Sequence, residues 1–164
     1  MLSCARLPIA LGGAGEKVGR RVSNPPQVGN LPYKLSMHDR LLAAALAARE
    51  HAHAPFSNFR VGAALEDESG RIYTGCNVEN ATYGLTVCAE RVAVLKAISE
   101  GARKFPRIAI AADTETLTPP CGACRQILWE FCGDIELVLG NPGGKTETLR
   151  LKDVFPRAFD ASFL

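Results

Sequence analysis

The chain has 164 residues, 47% of them apolar, and 19 Lys and Arg against 17 Asp and Glu give a formal charge of +2. That is one domain's length with enough apolar side chain for a single core, and the composition marks neither disorder nor a fibrous repeat. The longest apolar run, Leu41 to Ala48, is eight residues, whereas a membrane span needs about twenty, so a membrane-embedded protein is excluded.

The small net charge hides an asymmetry. Residues 1–35 hold five basic residues (Arg6, Lys17, Arg20, Arg21, Lys34) against Glu16, giving +4, while residues 36–164 hold 14 basic and 16 acidic residues, giving −2. The larger part has no basic surplus with which to grip a phosphate backbone, so a nucleic-acid partner is not expected. The first 35 residues are rich in Gly, Pro and Ser and show no period. They read as an irregular basic extension, with residues 36–164 as the folded domain. The apolar stretch Leu7 to Ala14 is short, broken by Pro8, Gly12 and Gly13, and follows no basic run, so it does not read as a secretory signal. A cytoplasmic chain is expected, with organelle targeting by the basic extension left open. The six cysteines, at 4, 76, 88, 121, 124 and 132, are then reduced and available for metal binding or catalysis.

From Ser36 onward the elements can be taken in order. Ser36 and Asp39 form a capping-box pattern ahead of an Ala/Leu-rich helix running to about His51, with Pro55 closing it. Arg60 to Glu66 and Arg71 to Val78 are rich in strand formers. The turn Asp67-Glu68-Ser69-Gly70 between them predicts a hairpin. Cys88 to Ser99 carries Val92, Leu95 and Ile98 at helical spacing, with Gly101 beyond its end. Ile108 to Ala112 reads as a strand buried on both faces. Pro119-Pro120 opens a third helix, Gly122 to Phe131, stopped by Gly133. Ile135 to Leu139 and Thr146 to Leu151 are strands around the turn Asn141-Pro142-Gly143-Gly144. The order α-β-β-α-β-α-β-β predicts an α/β fold, a three-layer α-β-α sandwich around a mixed sheet of about five strands.

Two segments carry chemistry, Cys88-Ala89-Glu90-Arg91 and Pro120-Cys121-Gly122-Ala123-Cys124-Arg125-Gln126. Both sit where a helix begins. A helix N-terminus favours thiolate over thiol, and Cys121 and Cys124 share one face of a first turn. Three thiolates from two helix starts suit Zn2+, and three protein ligands leave a coordination position open for water. Glu90, two residues from Cys88, is placed to move protons to and from that water. Three thiolates overcompensate the metal's charge, and Arg91 or Arg125 could offset the excess; Arg91 is the stronger candidate for hydrogen-bonding the thiolates. The competing reading is a structural zinc knuckle with Cys76 or Cys132 as fourth ligand and Glu90 as an ordinary first-turn acid. His51, His53, Cys4 and Cys132 read as incidental.

Those two segments resemble the zinc motifs of cytidine deaminases in their small, homotetrameric, three-cysteine form. Phe56-Ser57-Asn58-Phe59-Arg60-Val61-Gly62-Ala63-Ala64 is similar to that family's first substrate segment. Gly75-Cys76-Asn77-Val78-Glu79-Asn80-Ala81 is similar to its ribose-binding segment, and Tyr83-Gly84-Leu85-Thr86 to the run into the first zinc cysteine. The likeness covers about residues 36 to 160, including the spacing between motifs. It implies one zinc per subunit on Cys88, Cys121 and Cys124, with Glu90 as proton shuttle. It also implies Asn77 and Glu79 on the ribose hydroxyls, Phe59 against the pyrimidine, and the Ala89 backbone on the base. Phe155-Pro156-Arg157-Ala158-Phe159 resembles the closing segment, which would carry Phe159 into a neighbouring subunit's site of a homotetramer. Residues 1–35 match nothing in the family.

The implied reaction is hydrolytic deamination of cytidine and deoxycytidine to uridine and deoxyuridine plus ammonia, a step of pyrimidine salvage. A zinc-activated water attacks C4 while Glu90 moves the protons. Relatives acting on nucleic acid or deoxycytidylate usually present His-x-Glu where this chain has Cys88-Ala89-Glu90. That difference, with the absence of a basic strip, favours free nucleosides. Asn77 and Glu79 alternate at a strand end and so share one face, and a carboxylate beside an amide suits hydroxyls that both donate and accept. A deaminase of blasticidin S shares the zinc motifs, which makes a nucleoside-like antibiotic the alternative substrate. A non-catalytic zinc protein, structural or nucleic-acid-binding, is the alternative from another class.

Overall fold

The computed structural model describes residues 36–164; the N-terminal extension expected over residues 1–35, and Cys4 with it, lies outside the described residues. The elements run α1 (Met37–Arg49), β1 (Val61–Glu66), β2 (Ile72–Cys76), α2 (Ala89–Ser99), β3 (Arg107–Ala112), α3 (Gly122–Cys132), β4 (Glu136–Gly140), β5 (Thr146–Arg150) and α4 (Leu151–Val154). Single 3-10 turns occupy Tyr83–Leu85 and Ala161–Phe163.

The strands form one mixed sheet in the order β2-β1-β3-β4-β5, with β3 and β4 parallel and the other neighbours antiparallel. Side chains alternate across a strand, so each central strand feeds both faces. On one face Ala64, Ala109, Ala111 and Val138 pack on Leu41 and Ala45 of α1. On the other, Ala63, Leu65, Ile108, Ile110, Leu137 and Leu139 meet Ala93, Val94 and Ala97 of α2 and Leu128 of α3. All six residues of β1 are buried because helices cover it on both sides. The result is the α-β-α sandwich expected from the element order.

Local chemistry explains the boundaries. Ser36 Oγ accepts from Asp39 N at 3.1 Å, and Asp39 Oδ2 accepts from Ser36 N at 3.0 Å, so the capping box starts α1. Gly133, at φ +70°, ends α3 in a conformation that side chains disfavour. The last strand stops at Arg150, one residue short of expectation, because Leu151 begins a four-residue helix and is fully buried. A helix of one turn has no period to read, which is why alternation absorbed its first residue. β5 is an exposed edge strand in which Leu149 alone is partly buried.

Candidate active site

Two helix starts converge on one point. Cys88 is the N-cap residue of α2 and Cys121 that of α3, and neither side chain makes a capping hydrogen bond. Cys124 lies buried in the first turn of α3. The sulfurs of Cys88 and Cys121 are 4.0 Å apart, and all three lie within 4.8 Å of one another. Sulfurs around a tetrahedral zinc with bonds of about 2.3 Å stand about 3.8 Å apart, so the cluster needs only a small contraction to hold that ion.

The close approach of α2 to β2 sets this position. A Cβ at Gly75 would come within 2.5 Å of Ala89 O and 2.6 Å of Ala93 N, so any larger residue there lifts α2 off the sheet. The start of α3 is tied down by Arg125, whose Nε donates to Pro120 O at 2.7 Å and Nη1 to Val154 O at 2.6 Å. Arg125 therefore spends its donors on carbonyls. Arg91 instead turns toward the sulfurs: Nη2 donates to Thr86 O at 2.9 Å and to Cys88 Sγ at 3.7 Å.

Without metal, the Cys88 and Cys124 thiols are pushed in opposite directions. The Cys124 thiol beside it, then the Arg91 guanidinium, pull the Cys88 thiol down to about 5. The same pairing with Cys88, reinforced by burial, pushes the Cys124 thiol up. Glu90 is 5% exposed, and its burial, with the Cys88 thiolate nearby, raises its carboxyl above the ordinary range. A buried carboxyl of raised affinity both accepts and returns a proton.

Beside the sulfurs of Cys88 and Cys121 opens a chamber of about 230 Å³, lined in part by Cys88, Ala89, Glu90 and Cys121. Phe59, Asn77, Glu79, Thr118 and Pro119 also line it. Val61, Thr86 and Ile110 complete it. The segment carrying Asn77 and Glu79 is pinned on both sides, by Glu79 N donating to His53 O at 2.8 Å and Val78 N to Val87 O at 2.9 Å. Asn77 is buried, with Oδ1 accepting from Val61 N at 2.8 Å and Nδ2 donating to Phe59 O at 2.8 Å. Glu79 accepts from the Ser57 hydroxyl and from Phe56 N at 2.8 Å, and the hydroxyl above all holds its carboxyl below the usual range.

Phe159 lies elsewhere. It is 57% exposed, stacks on Phe163 with ring centroids 5.5 Å apart, and is held by Gln126 Nε2 donating to its carbonyl at 2.9 Å. It does not line the chamber of its own chain. Ile110, Thr118 and Pro119 line it without falling in any segment singled out for substrate or metal. Pro119 had a signal in the Pro119-Pro120 doublet that opens α3; the others are placed by packing.

Among the described residues, no fourth His, Cys, Asp or Glu joins the three sulfurs. The Cys76 thiol donates to His51 O at 3.4 Å, and burial within α3 pushes the Cys132 thiol up to about 12. The knuckle reading thus finds no fourth ligand among them. Three sulfurs with an open side, a buried carboxylate beside them and a chamber in front define the class: a metal-dependent hydrolytic enzyme on an α/β sandwich.

Comparison with known proteins narrows the class. The cytidine and deoxycytidylate deaminase zinc-binding region matches residues 35–140, and the chain belongs to that family. Cytidine deaminases of Sporosarcina psychrophila and Halalkalibacterium halodurans are each 48% identical to it over 122 residues, which is 74% of this chain and 90% and 92% of theirs. The crystal structure of cytidine deaminase from Burkholderia pseudomallei is similar with a TM-score of 0.72 at 47% identity, covering 74% of this chain and 98% of that one. The chain is an enzyme of this family, and its cofactor is zinc.

Proposed function

We propose that the protein deaminates cytidine and deoxycytidine hydrolytically, consuming one water and releasing ammonia and uridine or deoxyuridine. The observation that carries this reading is the buried Glu90 carboxyl beside three convergent sulfurs, opening on a chamber walled by Phe59, Asn77 and Glu79. At about 230 Å³ the chamber is below the usual ligand-pocket range of roughly 300–1,000 Å³. It takes a pyrimidine ring and leaves the sugar to Glu79.

Cys88, Cys121 and Cys124 hold the metal. Bound there, zinc makes water acidic enough to attack at neutral pH. Glu90 takes a proton from the attacking water and delivers it to N3 of cytosine, which makes C4 electrophilic. It then protonates the amino group, so that ammonia leaves. Phe59 packs against the base, the Ala89 backbone faces its edge, and Asn77 and Glu79 bind the ribose hydroxyls. Arg91 offsets the thiolate charge from behind.

The negative Glu79 at the sugar and the −2 charge of residues 36–164 disfavour a phosphorylated substrate. The test compares turnover of cytidine, deoxycytidine, cytidine monophosphate and blasticidin S. The two nucleosides are expected to lead by orders of magnitude; preference for the nucleotide or the antibiotic would overturn the assignment. Such an activity belongs to pyrimidine salvage in the cytoplasm, where turnover in a cell extract should fractionate. Phe159, exposed and outside its own chamber, supports a homotetramer in which it completes a neighbour's site. Specific activity should then fall on dilution; activity independent of concentration down to the monomer would contradict this.

A further inference from the structure

The segment before β1 joins two residues that line the chamber, Phe59 and Glu79, through one side chain that does not itself line it. Ser57 Oγ donates to Glu79 Oε1 and accepts from Phe59 N at 3.0 Å. An ionised carboxylate only accepts, so the hydroxyl proton must point to Glu79, which leaves the oxygen's lone pairs for the Phe59 amide. Asn58 makes this geometry possible. At φ +55° it adopts the left-handed conformation that Asn tolerates, and its N–H donates to Ala54 O at 3.1 Å. The reversal brings the Phe59 amide back onto the Ser57 hydroxyl.

The Phe59 residue is thereby held at both ends of its backbone. Its N–H is taken by Ser57, and its carbonyl accepts from Asn77 Nδ2 at 2.8 Å. Glu79 is held at both oxygens, Oε1 by the Ser57 hydroxyl and Oε2 by Phe56 N at 2.8 Å and Ser57 N at 3.3 Å. Fixing both oxygens leaves the remaining lone pairs of the carboxylate at a set angle.

We propose that Ser57 is a positioning residue that couples the sugar-facing Glu79 to the base-facing Phe59, so that base and sugar are gripped in one fixed relation. The inference rests on the nucleoside reading above, and it assigns Ser57 no contact with the reacting atoms. Its loss frees one carboxylate oxygen and one amide without touching the sulfurs or Glu90. The effect therefore falls on binding.

Ser57→Ala is expected to raise KM for cytidine about tenfold, the scale of one or two hydrogen bonds, while kcat stays within about threefold. Zinc content should not change. Ser57→Thr, which keeps the hydroxyl, is expected to restore KM to within about twofold of the parent. In a Glu79→Gln background the Ser57→Ala effect on KM should shrink, because the carboxylate it orients is already gone. An unchanged KM in Ser57→Ala, an equal tenfold rise in both backgrounds, or a Ser57→Thr protein that behaves like Ser57→Ala would each overturn the proposal. Hydrogen exchange at the Phe59 amide gives a readout independent of turnover: faster in Ser57→Ala and restored in Ser57→Thr, with equal rates in all three counting against the role. Failure of the parent protein to turn over cytidine would strike the nucleoside reading alone, and the exchange measurement would still decide the Ser57 contact.

Discussion

Arg91 follows Cys88 by three residues, so both lie on one side of the first turn of α2, and the guanidinium reaches back to the sulfur at 3.7 Å. Its charge is raised in affinity chiefly by that bond to Cys88. Removing it leaves three thiolates around a divalent ion with no cation on the sulfurs. Side chains that support metal ligands in this way typically cost about 10- to 100-fold in metal affinity when lost. Arg91→Ala is expected to weaken zinc binding on that scale, measured by competition with a chelator. The acid limb of its pH–rate profile should move to higher pH, because the Cys88 thiol without the cation holds its proton more tightly. Unchanged affinity with an unchanged profile would show that Arg91 serves the Thr86 carbonyl alone.

At the scale of elements, two contacts decide where the chemistry sits. Gly75 lets α2 lie against β2, and Gly75→Ala would force a Cβ to 2.5 Å from Ala89 O. Such overpacking costs roughly 1–3 kcal/mol. Because Ala89 lies between Cys88 and Glu90, the displaced helix start should also bind zinc more weakly; a variant with parent-like stability and zinc content would show that α2 has slack. The β1–β2 hairpin is organised by Asp67, which accepts from the Ser69 hydroxyl at 2.6 Å, Arg71 N at 3.0 Å and Tyr73 Oη at 3.1 Å. The Ser69 hydroxyl is the main cause that holds its carboxyl below the ordinary value of 3.8. A lowered folded value contributes stability that is complete above the unfolded value and is lost as pH falls through the folded one. Asp67→Asn should therefore be less stable than the parent at neutral pH, and the gap in urea midpoint should close below about pH 4. A gap independent of pH would assign the stabilisation to the turn geometry alone.

The same elements show which features the sequence discloses. The convergence of Cys88, Cys121 and Cys124 is legible because metal-ligand patterns fall at helix-turn spacing, and helix starts are announced by local signals such as Pro119-Pro120. The order of strands and helices is legible for a similar reason, since each central strand is a continuous apolar run covered on both faces. Ser57 falls in the segment that resembles a substrate segment, but its contact is not legible. Its role is a hydrogen bond to a residue 22 positions away, and nothing local distinguishes it from any serine before a strand. Thr118 and Ile110 are likewise brought to the chamber by tertiary packing. The helix α4 escapes notice because one turn carries no period.

Across the whole molecule, three features act together. The sheet brings the starts of α2 and α3 to one point, residues flanking β1 and β2 line the chamber with them, and residues 36–164 carry a slight negative charge. None of the helices among the described residues is long and apolar enough to cross a membrane. The same fold thus sets a sheltered carboxyl beside three convergent sulfurs at a small chamber. The most direct measurement follows the ultraviolet band of cytidine with the zinc-loaded protein, the metal-stripped protein and the Glu90→Gln variant, with zinc counted in each. The band is expected to decay with the zinc-loaded parent alone, while Glu90→Gln keeps its zinc and loses turnover by several orders of magnitude. Comparable decay in the variant, or in the metal-free protein, would contradict the assignment of proton transfer to Glu90 and of water activation to the three-cysteine metal site.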